Sequence, residues 1–305
     1  MHKHIRNTIS TLFMLIVLNR CGNANPIAVS TPTSMPPTAT SQVNSPHYLS
    51  QRPPGMEPEV FAPGIVSGSD FEYSGTFSPD GSEYYFYRFY EDLQAGRILF
   101  SKISNGNWTT PEQLAFTGEY GASEPHLTFD NQKLYFMWKH PVPPGQPELP
   151  AYFFVERTPN GWSEPKYAGQ GMFLSSSRDG QLYTTDMSQH TYGMTYLAKV
   201  TVNNGLFTNY EKLPIQTRLG SQAHPCIAPD GSYLLFDVNG GQYLYVSFKN
   251  MDGTWGDAID LTEHGFDRQA GGAYVSPDGK YLFFSLRGDI WWVDIKVIEN
   301  LRLVN

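Results

Sequence analysis

Charge is scarce in this chain of 305 residues. Only 16% of positions hold Asp, Glu, Lys or Arg, and the balance is negative, with a formal net charge of −8. No basic stripe is present, which excludes the recognition of phosphate backbones and so of nucleic acid. Cysteine is almost absent: Cys21 and Cys226 are the only two, and no disulfide within a folded domain is expected. The single long apolar run, "TLFMLIVL" from Thr11 to Leu18, is too short to span a bilayer comfortably. It follows the basic start "MHKHIR", which together read as a signal peptide over residues 1–24 and an exported protein.

Two processing outcomes compete at that signal. In "VLNRC" an apolar residue stands three before Cys21, the arrangement of a lipoprotein signal in which the cysteine is lipidated, although Arg20 occupies a position that normally takes a small residue. "GNA" at Gly22 to Ala24 offers instead a small-x-small cleavage site, and an uncleaved N-terminal anchor is a third possibility. Membrane contact is expected only through this lipid or signal anchor, at the cell envelope, or not at all for a secreted or periplasmic product. Residues 25–54 are dense in Pro, Ser and Thr with little charge, a composition that cannot bury enough surface to offset its ordering entropy. They read as a disordered linker, and the folded domain is expected over 55–305.

What the chain does have is aromatic residues and turn formers: Tyr 19, Phe 19, Trp 6, Gly 28 and Pro 23. These suit many short, half-buried strands joined by tight turns. "SPDGSEYYFYR" at 78–88 returns in altered form as "TFDNQKLYFMW", "SRDGQLYTTD", "APDGSYLLFD" and "SPDGKYLFFS". Aligned on Asp80, Asp130, Asp179, Asp230 and Asp278, the copies have a period of about 50 residues, in the range of propeller blades. Each copy runs strand, turn, strand, an alternating third strand such as "RILFSKIS", a hairpin with an aromatic such as "NGNW", and a fourth strand such as "PEQLAF". The last copy lacks its fourth strand, and "PEVFAPGIVS" from Pro58 stands ahead of the first copy to supply it. The expected fold is therefore all-β, a five-bladed β-propeller closed between about Glu59–Val66 and Asp289–Val297, since such a latch hides two sheet edges at once. An open solenoid or a sandwich is the rival arrangement.

The "SPDGKYLFFSLRGDIWWVD" segment and its partner turns resemble the TolB-type, WD-repeat-like β-propeller repeats of bacterial exported proteins, over nearly all of 55–305. "SRDG" lacks the proline of the pattern, and "FDNQ" lacks both proline and glycine. The resemblance implies the fold; such repeats serve binding and scaffold proteins as well as peptidases and carbohydrate enzymes, so it selects no activity. The Pro-Asp-Gly signature itself specifies a tight turn rather than a metal or acid/base motif.

Chemistry is expected where the copies differ. Period-two alternation turns the positions four and six before each turn aspartate toward the central channel. Four before stand Thr76, His126, Ser175, Cys226 and Tyr274; six before stand Ser74, Glu124, Phe173, His224 and Gly272. Glu124, His126 and His224 are thus candidate ligand contacts. Arg88, Asp186, Asp237 and Arg287 at the ends of second strands, with Glu72 and Arg268 near the starts of inner strands, complete the candidate set. Together they suggest a polar funnel suited to a glycan, a peptide or an envelope protein partner, on a monomer. The alternative is a carbohydrate-active hydrolase or lyase drawing two carboxylates from Glu72, Glu124, Asp186 and Asp237. No catalytic residue, cofactor or metal is assigned: His126, His224 and Cys226 lie on blades that are not neighbours, and no G-x-S-x-G elbow is present.

Overall fold

The computed structural model describes residues 48–303 apart from 149, 192, 193 and 219. The expected signal peptide, Cys21 and the expected linker as far as residue 47 lie outside the described residues. The described chain is a five-bladed β-propeller, with five antiparallel sheets built in order along the sequence. The inner strands are Phe71–Phe77, Ala122–Leu127, Met172–Ser176, Gln222–Ile227 and Gly271–Val275. The second strands are Glu83–Tyr90, Lys133–Trp138, Leu182–Thr191, Tyr233–Val238 and Tyr281–Leu286. Tyr48 and its neighbours are already packed, ahead of the expected domain start at residue 55: Leu49 is buried, and Gln51 exchanges hydrogen bonds with Val60 and Ala62.

The turn aspartates do what the sequence pattern requires. The Asp80 carboxylate accepts from the Ser82 amide at 3.0 Å and the Ser78 hydroxyl at 2.6 Å, and Asp130, Asp179 and Asp278 repeat the arrangement with their own neighbours. The following Gly81, Gly231 and Gly279 sit at φ 69°, 74° and 77°, a region open to glycine at no steric cost. In "FDNQ" Asn131 takes φ 58° instead, so the same turn survives with asparagine. All five turns lie at one end of the ring, called here the turn face.

The ring closes through the N-terminal segment. Glu59–Val60 pairs antiparallel with Asp289–Asp294, Glu59 facing Trp292 and Val60 facing Trp291, and the Phe61 amide donates to Ile290 O at 2.8 Å. Both latch strands are shorter than expected. Ala62 adopts φ 43° and Gly64 turns the chain back onto Ser67, while Lys296–Glu299 forms a helical turn whose first amide is capped by Asp294. Burial fixes the latch: Phe61 is fully buried among Phe77, Tyr84, Phe283 and Trp292, and the Tyr48 ring packs against Phe77, Tyr281 and Trp292. Residues from both ends of the described chain thus share one core cluster.

A second closure runs round the axis. In each blade the side chain four before the turn aspartate reaches the inner strand of the next blade. Thr76 Oγ1 accepts from the Leu127 amide at 3.4 Å, His126 Nε2 meets Ser176 Oγ at 2.8 Å, and Ser175 Oγ accepts from the Ile227 amide at 3.2 Å. The Cys226 side chain packs in one buried cluster with Val275 of the last blade, and the Tyr274 hydroxyl accepts from the Phe77 amide at 3.0 Å, joining the last blade to the first.

Two substitutions separate the closures. Phe61→Ala removes a large buried ring and is expected to lower unfolding free energy by about 3–5 kcal/mol. Tyr274→Phe leaves one buried amide without its acceptor, a loss of about 1–3 kcal/mol. Urea denaturation of the domain measures both, and a change in Phe61→Ala no larger than that of a surface substitution would contradict the latch.

Candidate functional site

The inner strands are not regular. In every one of the five the pairing shifts: Tyr73 and Gly75 face Tyr87 and Phe86, with Ser74 the extra residue, and Glu124, Phe173, His224 and Gly272 lie in the equivalent breaks. These are β-bulges, which leave two residues opposite one and re-aim a side chain. The bulged residue is left-handed each time, with φ 54° at Ser74, 53° at Glu124, 56° at Phe173, 54° at His224 and 58° at Gly272. For a residue with a Cβ this conformation costs about 1–2 kcal/mol, and four of the five carry it.

The bulged residues gather on the axis. Tyr73 crosses the channel from blade 1: its hydroxyl lies 3.2 Å from His224 Nδ1, and its ring contacts Phe173 and His224 edge-on. Gly272 makes room for it, since a Cβ there would stand 2.7 Å from the Tyr73 ring. His224 Nδ1 also lies 2.8 Å from Asp237 Oδ2, which accepts from the Gly272 amide at 3.0 Å. Glu124 Oε2 accepts from the Phe173 amide at 2.6 Å and the Tyr152 hydroxyl at 2.9 Å. Glu124 and Asp237 are buried, while the His224 side chain keeps 14% of its surface exposed. Two oxygens in this layer, Asp237 Oδ1 and Ser74 Oγ, are buried with no hydrogen-bond partner among the described residues.

Electrostatics couple the ring members. Burial disfavours the charged His224 ring, yet the Asp237 carboxylate, with Glu124 adding to it, outweighs that penalty and raises the histidine pKa. Burial raises the pKa of Glu124, against the opposing pull of His224 and of its two hydrogen-bond donors. The layer therefore holds a carboxyl group biased toward its protonated form beside a histidine biased toward its charged form. Such contrasting neighbours are the arrangement from which acid and base roles are drawn.

The other expected site residues fall elsewhere. His126 is one of the inter-blade ties; burial pushes it down to about 4 and keeps its ring neutral. Glu72 is fully buried against Arg88, whose Nε lies 2.7 Å from Oε1 and whose Nη2 donates to Ile65 O and Val66 O. That pair anchors the loop between the latch and the first blade. Burial raises Glu72 to about 7 although Arg88 opposes the shift. Arg268 lies over the Tyr243 ring at 5.2 Å and Arg287 pairs with Asp267, both beside the start of the last blade's inner strand. Asp186 stands opposite Tyr196 on the third blade. The structure thus brings Glu124, His224 and Asp237 together and leaves Glu72, Arg88, His126, Asp186, Arg268 and Arg287 outside that group. Phe173 joins it from one of the positions expected to face the channel, and Tyr73 and Tyr152 join it without having been expected.

Below the bulge layer the axis is packed. The cavity among Phe77, His126, Ser175, Cys226 and Tyr274 measures about 20 Å³, room for about one water. Any ligand of this layer must approach from the face opposite the turns. At that face stand Phe71, 42% exposed and stacked on Tyr73, and Tyr120, 45% exposed against His140 and Trp138.

No protein-family model and no curated protein sequence matches the chain. Solved structures resemble it at low identity. A protein described as a TolB of Agrobacterium tumefaciens is 15% identical, covering 70% of this chain and 69% of its own length, with a TM-score of 0.47. A family-43 endo-arabinanase from Bacillus licheniformis is 14% identical, covering 75% and 95%, with a TM-score of 0.48. A puromycin-hydrolysing peptidase of Mycobacterium tuberculosis is 15% identical over 67% of this chain, which spans only 30% of that peptidase, with a TM-score of 0.42.

The three raised groups set a pH dependence of definite sign. Glu72, Glu124 and His224 hold protons in the folded state that the unfolded chain has released. The stability they contribute is complete below the unfolded values, roughly 4.3 for Glu and 6.5 for His, and is lost as pH rises through the folded values. Asp80, Asp179 and Asp278 are held low by their turn hydrogen bonds and stay ionised above pH 5 or so, so they do not oppose the trend. His126, held neutral in the folded state, opposes this fall only below its unfolded value of about 6.5, so urea midpoints are expected to fall between about pH 6.5 and 8, with a shallower fall in Glu124→Gln. A midpoint that rises over this range would contradict the assignment.

Proposed function

We propose that this chain is an exported propeller, tethered through a lipid on Cys21, that binds a glycan at the face opposite its turns. The observation that carries the reading is the pair of buried, unpartnered oxygens, Asp237 Oδ1 and Ser74 Oγ, in the same layer as the partly exposed His224. Buried polar atoms are almost always hydrogen-bonded, and a ring that served only to fill the axis would gain nothing from an orphan oxygen on Asp237 or from a strained left-handed backbone at Ser74. A polyhydroxylated ligand, alone or through a water, offers a donor to the carboxylate and an acceptor to the serine. Phe71 and Tyr120 add exposed rings at the same face for the apolar side of a sugar.

A hydrolase is the second reading. It is favoured by the unlike surroundings of Glu124, biased to its acid form by burial, and of Asp237, whose Oδ2 lies 2.8 Å from His224 Nδ1. Titrating the protein with a panel of oligosaccharides, with a short peptide panel beside it, separates the two. Saturable glycan binding without turnover, weakened at least tenfold in Glu124→Gln, supports the binding reading. Turnover lost in Glu124→Gln establishes the hydrolase instead, and response to peptides alone overturns both. Ser74→Gly sharpens the test. It removes a strained residue and an orphan hydroxyl, so it is expected to stabilise the fold by about 1 kcal/mol while weakening the ligand.

A further inference from the structure

The turn face carries a second concavity that the reading above does not use. The residues immediately before the turn aspartates are Pro79, Phe129, Arg178, Pro229 and Pro277. Four of them, with Asp278, surround an open depression of about 420 Å³, within the size range of small-ligand sites. Three copies keep the proline that presets the turn, and two depart from it side by side in the repeat order. The departures are what give the depression its chemistry.

Arg178 is exposed, and its guanidinium donates to Pro277 O at 2.6 Å, two blades away, while lying 5.9 Å from the Phe129 ring centroid. Its backbone amide donates to Pro229 O at 2.9 Å. Among the described residues it forms no ion pair, in a chain with a net charge of −8. The one carboxylate on the rim, Asp278, accepts from Ser276 and Lys280 of its own turn and has Lys280 Nζ at 3.3 Å. The cationic charge of Arg178 is thus left uncompensated, and a guanidinium keeps several N–H groups in a fork that matches a carboxylate. The surrounding walls are proline and phenylalanine rings.

We propose that this depression binds an apolar carboxylate, with Arg178 holding the acid group and Phe129, Pro79 and Pro277 receiving the apolar body. That chemistry belongs equally to a free aromatic or branched acid and to the last residue of a polypeptide. The site lies beyond the packed axis from the glycan face and does not depend on it.

The test is an NMR titration of the intact domain with benzoate, and with a leucine-ended tripeptide as its free acid and as its amide. Benzoate is expected to shift the Arg178 side-chain and Phe129 signals saturably. Arg178→Gln, and Arg178→Pro, which restores the repeat pattern, are expected to weaken binding at least tenfold while melting close to the parent. Tighter binding of the tripeptide acid than of benzoate identifies a chain terminus as the source, and the reverse order a free acid. No saturable shift with either acid overturns the proposal, as does equal binding of the tripeptide amide. A lower melting temperature in Arg178→Gln with an unchanged benzoate response would also overturn it, reducing Arg178 to a strap between blades. Should Arg178→Pro fail to fold, Arg178→Gln alone decides.

Discussion

The structure depends on a contact made five times over between a side chain on one inner strand and the inner strand of the next blade, a hydrogen bond in four of the five. Thr76, His126, Ser175, Cys226 and Tyr274 are chemically unlike, yet each occupies the same position and each reaches the following blade. An inner strand at the axis has backbone groups that no sheet partner can satisfy, and leaving one buried and unpaired costs about 1–3 kcal/mol. Meeting that requirement from the neighbouring blade turns five separate sheets into one ring. It also removes His126 and Cys226 from chemistry: burial holds the first neutral, and drives the second up to about 12, far from a reactive thiol.

The layer above this ring follows from the bulges. By inserting a residue they free one position per blade from the ladder and aim it at the axis, where Glu124, Phe173 and His224 meet Tyr73. A left-handed backbone at residues with a Cβ is strain that the closed ring is able to hold. The two halves of the account therefore support each other: the ties below make the strained layer tolerable, and the strained layer is where the blades stop being equivalent. The blade without a side chain there, at Gly272, is the one whose space Tyr73 fills.

Repeat spacing made the fold legible. The turn aspartates alone set the blade count, and the missing last strand pointed to the latch that Glu59–Val60 forms. The latch came out shorter because Ala62 and Gly64 turn the chain early. Inside the channel, simple alternation located Glu124 and His224, but it treated the strands as regular. A bulge reverses the parity of everything before it, which is why Tyr73 faces the axis and Glu72 faces Arg88 and the latch loop. Only the "GG" at Gly271 and Gly272 hinted at a positive φ in this place, and the other four copies hide it behind ordinary residues. The turn-face depression was not read from the sequence, where the prolines missing from "FDNQ" and "SRDG" stood only as departures from the turn pattern; they are the two positions where it acquires Phe129 and Arg178.

If the inter-blade ties make the propeller a single unit, its parts cannot open one at a time. Amide hydrogen exchange at Phe77, Leu127 and Ile227, the backbone donors of the ties, measures this most directly. The account predicts that all three exchange only through global unfolding, with one shared opening free energy equal to that from denaturant. A graded series, with Phe77 at the seam opening well before Leu127 and Ile227, would contradict it.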